Sequence, residues 1–173
     1  MVGLIIHITA DDPRVTICTY WKRTDWLHLS EGTKVACPYF VPCEVLNDGS
    51  WPHPSRLPLG AGWRGECCAS GVALTPLDLE IRDFCNLGYA SGCPRLPRER
   101  DWDAVRFSVS SANGDKITLL YVCEFGHAPV EHGKLTFDLI NEGWLDAPAD
   151  ARVQRLADCY LKAYRDRRAN ALI

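Results

Sequence analysis

Nine cysteines in 173 residues, six of them between positions 37 and 93, constrain this chain more than any other feature. They are Cys18, Cys37, Cys43, Cys67, Cys68, Cys85, Cys93, Cys123 and Cys159. An odd number cannot pair completely within one chain. Nor does a chain of this length need disulfides to fold, since a domain of about 150 residues buries roughly 70% of its unfolded surface. A clustered set of unpaired thiols therefore points to metal binding or thiol chemistry, provided the compartment is reducing.

The sequence favours such a compartment. Its longest aliphatic stretches are as short as Leu4-Ile5-Ile6. A membrane helix needs roughly 20 apolar residues. The start also lacks a basic segment followed by an apolar block and a small-residue cleavage site. The expectation is a cytoplasmic protein without membrane insertion. Hydrophobic residues make up 47% and charged residues 24%, which suits a globular protein. The net charge is −3, with no long run of one sign. That argues against nucleic acid as a partner, because phosphate binding requires a concentrated basic face.

Periodicity predicts a single domain, 1–173, of α+β class. Val2 to Thr9 reads as a strand, and Tyr20 to Leu29 leans towards helix. Across 36–66, Pro38, Pro42, Pro52, Pro54 and Pro58 alternate with Gly49, Gly60, Gly62 and Gly65, so an irregular loop is expected. Tyr39, Phe40, Trp51 and Trp63 bring apolar area that makes order, not disorder, the expectation there. A helix follows, with Thr75 as cap, Pro76 in its first position and Gly88 as its stop. Leu77, Ile81, Phe84 and Cys85 share one of its faces.

From Trp102 the period changes to two. Val105, Phe107 and Val109 alternate with polar residues, Asn113-Gly114 signals a hairpin, and Ile117, Leu119, Tyr121 and Cys123 share the return face. A third strand is predicted over Lys134 to Ile140, which makes 102–141 a small antiparallel β-meander. A helix over 150–168 closes the chain, with Val153, Leu156, Ala157, Tyr160, Leu161 and Tyr164 as its apolar stripe. The cysteine-rich stretch, 36–94, becomes an irregular Cys/Pro/Gly-rich metal-binding region beside these elements.

Within it stand Cys37-Pro38, Cys43, Cys67-Cys68, Cys85 and Cys93-Pro94. Proline removes a competing backbone donor, and glycine lets main-chain amides approach a sulfur and stabilise its charge. Structural zinc sites usually show paired ligands two to four residues apart. Here the spacings are five residues between Cys37 and Cys43, seven between Cys85 and Cys93, and none between Cys67 and Cys68. A cluster of iron and sulfide spans a wider cage and tolerates such spacing.

On these residues the arrangement resembles iron–sulfur cluster-binding proteins in general, including the Cys-Pro pairing of ferredoxin-type sites. It lacks their C-x2-C-x2-C run. The favoured ligands are Cys37, Cys67, Cys85 and Cys93, holding one [4Fe-4S] cluster, with Cys43 and then Cys68 in reserve. Zinc is the alternative metal. Only one of the vicinal pair Cys67 and Cys68 is expected to point at a shared centre. Cys18, Cys123 and Cys159 read as small core hydrophobes.

Other groups carry less. His127, Glu131 and His132 fall in a polar turn, where solvation is the ordinary reading over ion binding. His53 reads as a loop-packing histidine. Arg56, Arg64, Arg95, Arg98 and Arg100 flank the cysteines and can offset thiolate charge or remain surface charge. No nucleotide-binding or serine-hydrolase motif is present. The functional expectation is electron transfer, or an accessory subunit of a redox system, with a redox partner protein. The alternatives are a cluster-based redox or oxygen sensor or interaction module, an enzyme with an open iron site assisted by Glu66 or His53, and a zinc-stabilised structural protein.

Overall fold

The computed structural model describes residues 35–87, 92–148 and 150–171. These belong to one compact unit running from Lys34 to Ile173. The strand expected at Val2 to Thr9, the helix expected at Tyr20 to Leu29, Cys18 and Gly88 lie outside the described residues.

The architecture is α+β: an antiparallel meander, a smaller two-stranded sheet and a C-terminal helix. The meander runs β3 (Ala104–Asn113), β4 (Lys116–Phe125), β5 (Ala128–Asp138) and β6 (Gly143–Trp144), in that spatial order. Strand alternation does what the sequence pattern requires. Ile117, Leu119, Tyr121 and Cys123 project from one face of β4 and are buried, as are Val105 and Phe107 on β3 and Leu135 and Phe137 on β5. Asn113 pairs with Lys116 across a turn whose Gly114 has φ 56°. Glycine adopts that conformation without steric cost.

The helix α2 (Ala151–Asn170) covers that face. Asp150 caps it, accepting the Arg152 N–H at 2.7 Å, the usual role of an aspartate at a helix start. Val153, Leu156, Ala157 and Leu161 are buried, and Phe107 stacks on Tyr160 with ring centroids 5.7 Å apart. No helix among the described residues is long and apolar enough to cross a membrane.

Three expectations need correction. The third strand begins at Ala128, so Glu131 and His132 are strand residues rather than part of a polar turn. As neighbours in a strand they face opposite sides of the sheet. The Tyr121 hydroxyl donates to Glu131 at 3.3 Å. The stretch 36–66 is not irregular throughout. β1 (Phe40–Leu46) and β2 (Gly62–Cys67) pair antiparallel, with Phe40 opposite Cys67. A register shift between Pro42 and Glu44 absorbs the proline, and Gly65, opposite Pro42, leaves room for the Val41 carbonyl that a Cβ would strike. Bulges and glycines serve this purpose where a strand carries proline.

The third correction concerns the central helix. It starts at Asp78, leaving Thr75 and Pro76 outside, and Leu77 is 70% exposed instead of buried. One α-turn, α1 (Asp78–Glu80), passes into a π-helix, Ile81–Asn86. At its end the buried Asn86 side-chain amide donates to the Ile81 carbonyl at 3.1 Å.

Two core thiols make stability sensitive to alkali. Burial pushes Cys123 and Cys159 up to about 12, from the usual 9.0, because an apolar setting disfavours the charged form. The fold thus holds them protonated while the unfolded chain ionises them. Their contribution is complete below the unfolded value and is lost as pH rises through the window from 9.0 to about 12. Urea midpoints measured near neutrality and well into that window should fall for the wild type. The fall should be smaller for Cys123→Ala. An equal fall in both proteins would remove Cys123 from this account.

Candidate metal centre

Four cysteines from four separate segments line one cavity: Cys37, Cys67, Cys85 and Cys93. Each is placed by a different local device. Cys37 follows Ala36, whose N–H and carbonyl both bond Val105 on β3, at 2.6 and 2.9 Å. This tethers the segment carrying Cys37 to the main sheet. Cys67 ends β2, and its backbone exchanges two hydrogen bonds with Leu74, at 2.7 and 3.0 Å, closing the loop between them. Cys85 sits on the π-helix, a geometry that recurs at functional sites. Cys93 follows Gly92 and accepts the Leu96 N–H on its carbonyl at 3.2 Å, in a tight turn.

Between these thiols the walls are mainly apolar, with Phe40, Pro76, Phe84 and Leu96 among the lining residues. Cys37 and Cys67 are buried, whereas Cys85 and Cys93 are half-buried. The cavity therefore has a deep side and a side closer to solvent.

Electrostatics couples the four groups. Burial pushes the Cys37 thiol up to about 11, against the opposing pull of the Tyr39 and Phe40 backbone N–H groups, with the charges of Cys67 and Cys93 adding to the rise. Burial also pushes Cys85 up to about 12, and the charges of Cys37, Cys67 and Cys93 act in the same direction. Desolvation and like charge both penalise a thiolate. Four thiolates so placed would repel one another. A cationic core between them would relieve both the repulsion and the cost of burying charge. The Phe40 N–H donates to the Cys37 carbonyl at 3.3 Å, and the nearby Tyr39 and Phe40 amides favour the charged form of the thiol.

A single ion makes narrower demands. Zinc holds sulfur at about 2.3 Å, which brings its ligand sulfurs within roughly 4 Å of each other. Among the described residues, no group of three or more His, Cys, Asp and Glu side chains is arranged to hold a metal ion.

The reserve residues stand apart from this wall. Cys43 is exposed at the β1 bulge, with its thiol turned towards the Val41 carbonyl at 3.4 Å. Cys68 is adjacent to Cys67 but does not line the cavity. Cys123 and Cys159 are buried in the main core. Neither Glu66 nor His53 lines the cavity, and both are exposed.

Sequence reasoning missed three supports. Asn86 is 4% exposed, accepts the Trp63 N–H at 2.8 Å and donates to the Trp63 carbonyl at 2.8 Å. It joins the segment carrying Cys85 to the strand carrying Cys67. Arg152, in the first turn of α2, lies over Trp102 at 4.3 Å and over Tyr39, a cavity residue, at 5.4 Å. At such distances a guanidinium is attracted to the ring face. Glu80, the cavity's one carboxylate, receives Arg95 Nε at 3.1 Å and Nη2 at 3.0 Å. No local pattern announces these contacts, because the partners are distant in sequence: Asn86 from Trp63, Arg152 from Tyr39 and Trp102, Arg95 from Glu80.

No family model matches the chain. No solved structure matches it.

Proposed function

We propose that Cys37, Cys67, Cys85 and Cys93 hold one [4Fe-4S] cluster and that the protein carries electrons within a larger redox system. The observation supporting this most directly is the convergence of four thiols, from four separate segments, on one largely apolar cavity. A bound cluster would supply a one-electron couple. The chain's own part is to hold the thiolates apart at fixed positions, shield their charge from water on the Cys37 and Cys67 side, and direct backbone N–H groups at Cys37. The half-buried Cys85 and Cys93 provide the shorter route from the centre to the surface, where a redox partner protein would dock. Free thiols at all eight described cysteines accord with a reducing, cytoplasmic setting.

Four thiolates also suit a [2Fe-2S] centre, so stoichiometry carries the test. The protein is purified without oxygen, and iron, acid-labile sulfide and zinc are measured with the visible spectrum. About four iron and four sulfide per chain, with a broad charge-transfer band bleached by dithionite, is the expected result. Two of each would change the cluster type. A colourless protein carrying one zinc would overturn the reading.

A further inference from the structure

Glu80 and Arg95 form the cavity's ion pair, and their placement relative to the thiols is asymmetric. Glu80 lies in α1, on the turn leading to Cys85, and its carboxylate also accepts the Leu77 N–H at 2.9 Å. Arg95 lies two residues after Cys93 and grips that carboxylate through two nitrogens. Both side chains line the same cavity as the four cysteines. The pair therefore clamps the Cys85 segment to the Cys93 turn while setting one positive and one negative charge beside the thiol group. Arg95 acts on Cys67 and Cys93, whereas Glu80 acts on Cys85.

We propose that this ion pair tunes the reduction potential of the cluster, with Arg95 raising it and Glu80 lowering it. The inference rests on the four-thiol cluster reading. Its physical basis is simple. Reduction adds one electron, taken in a titration from dithionite, to a body already ringed by four thiolates. A nearby guanidinium stabilises the added negative charge, and a nearby carboxylate opposes it. In a partly buried, apolar-walled site neither effect is fully screened. The balance between the two charges, more than either alone, then sets the potential.

Charge and clamping can be separated by experiment. Wild type, Glu80→Gln, Arg95→Gln, the double variant and Arg95→Lys are loaded anaerobically with iron and sulfide. Their midpoint potentials are then measured by optical titration. Arg95→Gln should move the potential down and Glu80→Gln should move it up. At the wild-type midpoint each change should alter the reduced-to-oxidised ratio about tenfold, equivalent to about 59 mV for one electron. The double variant should return close to wild type. Arg95→Lys, which keeps the charge but loses the two-nitrogen grip, should stay near wild type. Shifts in the same direction for both single variants, or no shift in loaded protein, would overturn the tuning role. A wild type that takes up no cluster would overturn the parent reading and this one with it.

Discussion

On the cluster reading proposed above, Cys37→Ser should yield a folded protein that takes up no iron or labile sulfide and shows no visible absorption. The same outcome is expected for serine at Cys67, Cys85 or Cys93, each tested singly. Perturbing groups that merely support metal ligands costs roughly 10–100-fold in metal affinity, so removing a ligand should cost at least as much. Cys37 is the most informative of the four. It is buried, the Tyr39 and Phe40 amides favour its charged form, and its segment is tied to β3 through Ala36. A serine side chain fits the same space, so folding should survive. Cys43→Ser and Cys68→Ser provide the contrast, because neither residue lines the cavity. Both variants should keep full iron content. Iron retained in Cys37→Ser, or lost in Cys43→Ser, would break the assignment of ligands.

The convergence of these four thiols was legible because cysteine chemistry and local backbone rules agree. Cys37 and Cys93 each precede proline, and Cys67 closes a glycine-bearing stretch. Of the vicinal pair, only Cys67 lines the cavity. The meander was legible for a similar reason. Alternation at Val105 and Phe107, and again from Ile117 to Cys123, matches the buried face and leaves little choice of register.

What escaped was the contribution of contacts distant in sequence. Prolines and glycines across 36–66 weaken local strand propensity, yet a bulge at Cys43 and a missing Cβ at Gly65 allow β1 and β2 to pair. Thr75-Pro76 has the form of a helix start, but the helix begins two residues after Pro76. Capping preferences contribute only about 1 kcal/mol, and tertiary packing can override them. Leu77, expected on the buried face, turns to solvent as a result.

Asn86 is the clearest product of such long-range control, and Asn86→Ala should be among the most destabilising substitutions outside the four cavity cysteines. Its amide supplies both hydrogen bonds that the Trp63 backbone makes to it, and a third to Ile81. Alanine would leave one N–H and two carbonyls without those partners in a buried region. Each unsatisfied buried group costs about 1–3 kcal/mol, and partial relaxation brings the total to roughly 3 kcal/mol. At about 2–4 °C per kcal/mol for a chain of this size, the melting temperature should drop by roughly 6–12 °C. The deficit should appear in loaded and cluster-free protein alike, because the hydrogen bonds belong to the polypeptide. The loaded variant should also release iron to a chelator faster than wild type, since Asn86 fixes Cys85 against the strand that carries Cys67. Thermal unfolding and chelation kinetics on the same preparation measure both effects. A deficit below about 1 kcal/mol would show that water replaces the amide, leaving the π-helix held by its own backbone and by Ile81.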